Sequence, residues 1–135
     1  MSPEEPSASN RARVLIVEDE RLIALDIQRT LERQGYAVVG LASRGEHAVE
    51  IAGDARPDVV LMDIRLKGDV DGIYAAREIR QRFDIPVIFL SAHTDEATLQ
   101  RAVATDAFGY LLKPFQEREL FSTIEIVCFK HRLEK

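Results

Sequence analysis

A second cysteine is missing from this sequence: Cys128 stands alone, so no intramolecular disulfide can form and the bridge framework of small secreted domains is excluded. That absence fits a reducing compartment, and a cytoplasmic location is expected. Also missing is any apolar run near the ~20 residues that cross a bilayer, so no membrane-spanning helix is expected. Positive charge is in deficit, with 18 Lys plus Arg against 23 Asp plus Glu and a formal charge of −5. A domain this acidic has no general attraction for nucleic-acid phosphates, and direct DNA binding is not expected. No Cys or His cluster has zinc-ligand spacing, which disfavours a soft-metal site. Met1 to Asn10, MSPEEPSASN, has neither the basic start nor the apolar stretch of a secretory signal. Residues 1–11 read as a disordered tail and 12–135 as one domain, since 135 residues that are 46% hydrophobic suit a single core and leave none for an effector domain.

What is present is an alternation. Five short runs rich in Val, Ile and Leu are each followed by a segment with helical spacing, the pattern of a parallel sheet with helices on both faces. The first strand is Val14 to Val17, and Leu22, Ile23, Ile27 and Leu31 then form one stripe of a helix that Gly35 is placed to end. A strand at Tyr36 to Leu41 and a helix at Gly45 to Asp54 follow, broken by Arg56-Pro57-Asp58. Val59-Val60-Leu61-Met62 is apolar without alternation, as a central strand buried on both faces should be, and it ends at Asp63. The spacing then predicts a helix over Ile73 to Arg82 with Ile73, Ala76, Ile79 and Phe83 inward, and a strand over Pro86 to Leu90. A helix over Thr94 to Thr105, a strand over Ala107 to Leu112 and a helix from Glu117 to Leu133 complete the chain. The fold class is a doubly wound α/β sheet, whose function gathers in the crevice beyond the carboxyl ends of the strands.

At those ends stand Glu18-Asp19-Glu20, Asp63, Ser91-Ala92-His93 and Lys113-Pro114. Glu18, Asp19 and Asp63 bring three carboxylates into one small volume, where like charges are tolerated only if protonated or offset by a cation. Mg2+ suits them, because it takes oxygen ligands and commonly uses one or two carboxylates plus phosphate oxygens and water. Lys113 adds an ammonium and Ser91 a hydroxyl around Asp63. A cation, an ammonium and a hydroxyl are what the spread charge of a phosphoryl-transfer transition state requires, with Asp63 as the nucleophile.

Val14-Leu-Ile-Val-Glu-Asp-Glu20, Val60-Leu-Met-Asp-Ile64, Leu90-Ser-Ala92 and Tyr110-Leu-Leu-Lys-Pro-Phe115 resemble the signature segments of response-regulator receivers, and the likeness covers Arg13 to Leu133. The resemblance implies a flavodoxin-like five-stranded parallel sheet of order 2-1-3-4-5 with five helices. It implies Asp63 as phosphoacceptor, Glu18 and Asp19 as an acidic pair, Arg65 as a backbone-carbonyl ligand to Mg2+, Ser91 and Tyr110 as switch residues, and Lys113 as the conserved cation. It also implies a cis Lys113-Pro114 bond, and as partners a histidine kinase or histidine phosphotransfer protein and a downstream protein target. The protein is then a stand-alone signalling switch or phosphorelay intermediate, catalysing only its own phosphorylation and dephosphorylation. Two features depart from the family: Arg65-Leu-Lys-Gly-Asp-Val-Asp-Gly72 lacks the usual proline and carries one extra residue, and the acidic pair is Glu-Asp rather than Asp-Asp.

Plainer roles compete for each residue. Glu18 and Asp19 are also good acids for a helix start, Ser91 a turn hydroxyl, Tyr110 a core aromatic and His93 a solvated loop histidine. His93 and Arg65 would flank the path of attacking water and are candidates to tune dephosphorylation, whereas His47 and His131 are assigned to helix surfaces. Enzymes on the same fold are the rival class. A flavin carrier is disfavoured because Glu18-Asp19-Glu20 would repel its phosphate, and a haloacid-type phosphatase because no second acid follows Asp19 two residues on. A receiver that never becomes phosphorylated is the third reading. The last helix carries Leu120, Ile124 and Val127 on one side and Ile126, Phe129 and Leu133 well away from them, either a broad buried stripe or a surface for a homodimer or a partner.

Overall fold

The computed structural model describes residues 11–66, 71–92, 97, 100–102 and 108–134. Five strands, β1 (Arg13–Val17), β2 (Ala37–Ala42), β3 (Val59–Asp63), β4 (Val87–Ser91) and β5 (Gly109–Leu112), form one sheet of order β2-β1-β3-β4-β5. Every adjacent pair is parallel, as the apolar runs without alternation require. Successive residues of each strand point to opposite faces, which divides the core in two. Leu15, Val17, Val60, Met62, Val87 and Phe89 meet helices α2 (Gly45–Ala55) and α3 (Gly72–Phe83). Val14, Ile16, Val59, Leu61, Ile88 and Leu90 meet α1 (Arg21–Arg33) and the C-terminal helix (Glu117–Leu133) on the other side.

Most element boundaries fall within one or two residues of the sequence reading. Gly35 takes φ 92°, the left-handed backbone beyond α1 that glycine accepts without strain. The α3 stripe is as expected, with Ile73, Ala76 and Ile79 buried and Phe83 partly so. Two assignments need correction. Leu22 is 82% exposed: it sits in the first turn of α1, at the rim, and the buried positions are Ala24, Ile27, Thr30 and Leu31. His131 is not a plain surface residue, because its ring packs edge-on against Phe108 and its Nε2 lies 3.3 Å from Asp84. The expected tail at 1–11 lies outside the described residues apart from Arg11, and the expected helix at 94–105 is described only at Ala97 and Gln100 to Ala102, all helical.

The loop after α1 is fastened to the C-terminal helix by Tyr36. Its hydroxyl donates to Glu125 Oε2 at 2.6 Å, accepts from Arg11 Nη1 at 3.3 Å, and its ring stacks on Phe121. Burial, then the neighbouring Glu125 carboxylate, push the phenol up to about 12 from 10.0. Because the folded pKa is raised, the unfolded chain ionises first as pH rises. The stabilisation is therefore complete below pH 10 and lost between pH 10 and about 12. Denaturant midpoints measured across that window should fall in the wild type, and Tyr36→Phe should flatten this part of the decline; an equally steep decline in the variant would refute the assignment.

Candidate functional site

The order of strands decides which side chains can meet. β1 and β3 are neighbours, so the residue after β1, Glu18, and the last residue of β3, Asp63, emerge side by side at the carboxyl edge. The ladder continues past the strands, with Glu18 N donating to Ala42 O, Ile64 N to Leu90 O and Lys113 N to Ser91 O. These bonds fix where the loops leave the sheet.

Glu18, Asp19 and Asp63 each present a carboxylate oxygen, all within 4.8 Å of one another. Glu18 and Asp63 are buried at 3% and 8% exposure, and Asp19 is half-buried. Lys113 reaches past the end of β4 to place Nζ 2.8 Å from Glu18 Oε1 and 3.0 Å from Asp63 Oδ2. The Lys113-Pro114 bond is cis, as the resemblance implied. Asp63 Oδ1 accepts from the backbone N–H of Arg65 at 3.0 Å, and Glu18 Oε2 from that of Glu20 at 3.2 Å.

One ammonium does not balance three carboxylates. Burial pushes Glu18 up to about 6 from 4.5; the Lys113 hydrogen bond opposes the rise and the Asp63 charge adds to it. Burial works against the charge of Lys113, but its bonds to Glu18 and Asp63 outweigh that and hold the amine above its ordinary value. The donor set is therefore all oxygen, crowded and short of positive charge, which fits a hard divalent cation.

Ser91, at 1% exposure, is the last residue of β4 and stands between the β3 and β5 ends; Tyr110, on β5, is half-buried. Glu18, Asp19, Asp63 and Lys113 are thus gathered at one point, with Ser91 on the adjacent strand end. Arg65 enters through its amide, and its side chain is exposed. His93 and residues 67–70 of the altered loop lie outside the described residues.

Two supporting residues were not assigned a role from the sequence. Gly72 donates from its backbone N to Ile64 O at 3.0 Å, so the start of α3 lies directly on the peptide after Asp63. Asp71 caps α3, its side chain accepting from Tyr74 N at 2.9 Å, and pairs with Arg101 at 2.7 Å. The Asp-Gly dipeptide was the available signal, an acid fit for a helix cap before the smallest residue.

A doubly wound sheet whose carboxyl edge holds an acid trio and one buried-facing lysine defines a signal-receiver type of domain. The chain belongs to the response regulator receiver domain family, whose model matches residues 14–125. It is 40% identical over 120 residues to the transcriptional regulatory protein PdtaR of Mycobacterium tuberculosis (strain H37Rv), which covers 89% of this chain and 58% of that protein. The chain therefore spans little more than half the length of this relative. Among solved structures, the signal receiver domain of a modulated diguanylate cyclase from Desulfovibrio desulfuricans G20 has a TM-score of 0.88 at 42% identity, over 92% of this chain and 98% of that one. The Vibrio cholerae chemotaxis protein CheY4 has a TM-score of 0.78 at 30% identity, over 86% and 98%. Among the described residues, no helix is long and apolar enough to cross a membrane.

Proposed function

We propose that this receiver accepts a phosphoryl group on Asp63 from the phosphohistidine of a histidine kinase or histidine phosphotransfer protein, with Mg2+ held by Glu18, Asp19 and Asp63. The observation that carries the proposal is the convergence of Glu18, Asp19 and Lys113 on Asp63, the last side chain of the central strand. A carboxylate oxygen of Asp63 attacks phosphorus, the new O–P bond forms as the N–P bond to histidine breaks, and the imidazole leaves to take up a proton. Lys113 supplies positive charge to the oxygens of the transferred group, and the Arg65 amide orients the nucleophile. When bound, Mg2+ offsets the remaining carboxylate charge and the charge on the phosphoryl oxygens; the Arg65 carbonyl is a further candidate ligand. Slow, self-catalysed hydrolysis resets the switch: water attacks phosphorus, the Asp63 O–P bond breaks, and the free carboxylate and inorganic phosphate result.

Ser91 and Tyr110 are the residues we assign to the readout. Drawing the Ser91 hydroxyl toward new phosphoryl oxygens and turning Tyr110 inward would shift the surface near the C-terminal helix between two populations. Output then passes by protein contact to a downstream target. Incubation with an acyl-phosphate donor and Mg2+ tests the scheme: one phosphoryl mass per chain should appear, and it should be lost on chelation of the metal. No added mass with metal and donor in excess would reject it.

Metal binding has its own readout. Mg2+ at about 100 times its dissociation constant should stabilise the folded chain by about 2.7 kcal/mol, seen as a higher melting temperature. Asp19→Asn removes one donor from the half-buried side of the cluster and should shrink that increment at the same metal concentration. An increment unchanged in the variant would place the ion elsewhere.

A further inference from the structure

The C-terminal helix has two apolar faces. Leu120, Ile124 and Val127 are buried at 1% or less, whereas Ile126, Phe129 and Leu133 are exposed at 57%, 55% and 69%. The exposed trio is spaced three and then four residues apart, the repeat that keeps a seam on one side of two helices wound about each other. With Ile126 and Leu133 as a positions and Phe129 as d, the residue before the seam at g is Glu125 and the residue after Phe129 at e is Lys130.

In a parallel pair each g side chain faces the e side chain of the next heptad on the partner. Glu125 of one copy would then meet Lys130 of the other, and the twofold axis makes the same pair again. This helix is complementary to itself in charge as well as in apolar spacing. Glu125 is also held in place, because it accepts from the Tyr36 hydroxyl at 2.6 Å and lies 3.8 Å from Arg11 while staying 58% exposed. Phe129 stays open although the Arg132 guanidinium lies 5.9 Å from its ring centroid.

We infer that the outer face of the C-terminal helix binds a second copy of this chain, helix beside helix and parallel, through Ile126, Phe129 and Leu133 with Glu125 and Lys130 crossing between copies. The surface lies outside the phosphoryl site and needs no phosphoryl transfer, so Asp63→Asn pairs as the wild type does. Three apolar side chains per copy make a small interface, and the dissociation constant is on the order of 100 µM.

Sedimentation equilibrium of the intact, unphosphorylated chain, from low micromolar to about 1 mM, tests this against that affinity range. The weight-average mass should climb toward twice that of one chain, and the double change Ile126→Ser, Phe129→Ser should hold it at one. Because both side chains are exposed, the melting temperature of that variant should stay at the wild-type value, which separates lost pairing from lost folding. Lys130→Glu places like charges across the seam and should weaken pairing roughly tenfold. Mixed with Glu125→Lys it should associate again, since one chain then carries two acids and the other two bases along the seam. A chain that stays monomeric throughout overturns the inference, and so does a mixture that associates no better than either variant alone. Partition of a monomeric wild type onto anionic vesicles would assign the face to a lipid surface instead and equally overturn it.

Discussion

Asp63→Asn should take up no phosphoryl group from an acyl-phosphate donor under conditions that label the wild type fully, a loss of at least about 1000-fold in rate. The asparagine carboxamide has no ionised oxygen to attack phosphorus, and its neutral carbonyl oxygen is a far weaker nucleophile. The substitution is close in shape, so the fold should hold. The amide oxygen can still accept from the Arg65 N–H, which now meets Asp63 Oδ1 at 3.0 Å. Lys113 keeps Glu18 as its partner at 2.8 Å. One of the two carboxylates buried beside each other is gone, which removes a repulsion that helps push Glu18 up. The variant should therefore melt no lower than the wild type in the absence of metal, and circular dichroism with intact-mass spectrometry reads both quantities on one sample. Labelling retained in a folded Asp63→Asn chain would move the acceptor to another side chain and undo the proposed chemistry. A variant that failed to label only because it had unfolded would show itself in the melt.

The clustering of Glu18, Asp19, Asp63 and Lys113 was open to sequence reading because such residues are costly anywhere else. An acid directly after four apolar residues, as at Asp63, or a lysine closing an apolar strand, as at Lys113, needs a partner. The topology supplies that partner from another strand end. The strands were legible for a related reason: with both faces covered, β1, β3 and β4 carry unbroken apolar runs. Tertiary placement accounts for the misses. Leu22 has the right spacing for the α1 stripe, but spacing does not say where the opposing layer stops, and the first turn of α1 projects past it. His131 faces the end of α3 through Asp84, a contact 47 residues away that no local pattern announces. On the C-terminal helix the residue types allowed one wide buried stripe or two faces, and only the packing separates Ile124, buried, from Ile126, exposed.

Gly72→Ala should cost about 3 kcal/mol or more of stability, the upper range for overpacking, although alanine is the better helix former by about 1 kcal/mol. A β-carbon built on Gly72 falls 2.1 Å from the backbone oxygen of Asp63 and 2.9 Å from the Cα of Ile64. Neither atom is the end of a side chain that can swing aside. Relief requires the start of α3 to move away, which breaks the Gly72 N to Ile64 O bond, or the backbone at Asp63 itself to shift. Gly53 in α2 gives the comparison, because its added β-carbon meets Phe83 Cζ at 2.8 Å, the far end of a half-buried ring. The ring can tilt, so Gly53→Ala should cost much less, its helix-propensity gain offsetting part of the displaced packing. Urea midpoints for the two variants and the wild type, analysed with a common slope, give the ranking. If Gly72→Ala remains soluble and folded, its phosphoryl uptake should also drop, since a displacement of the Asp63 backbone misaligns a nucleophile that must attack in line. A Gly72→Ala chain as stable as the wild type would mean that α3 is not seated on the end of β3 as described. The close approach of helix to strand at this glycine ties the integrity of the fold to the aim of Asp63.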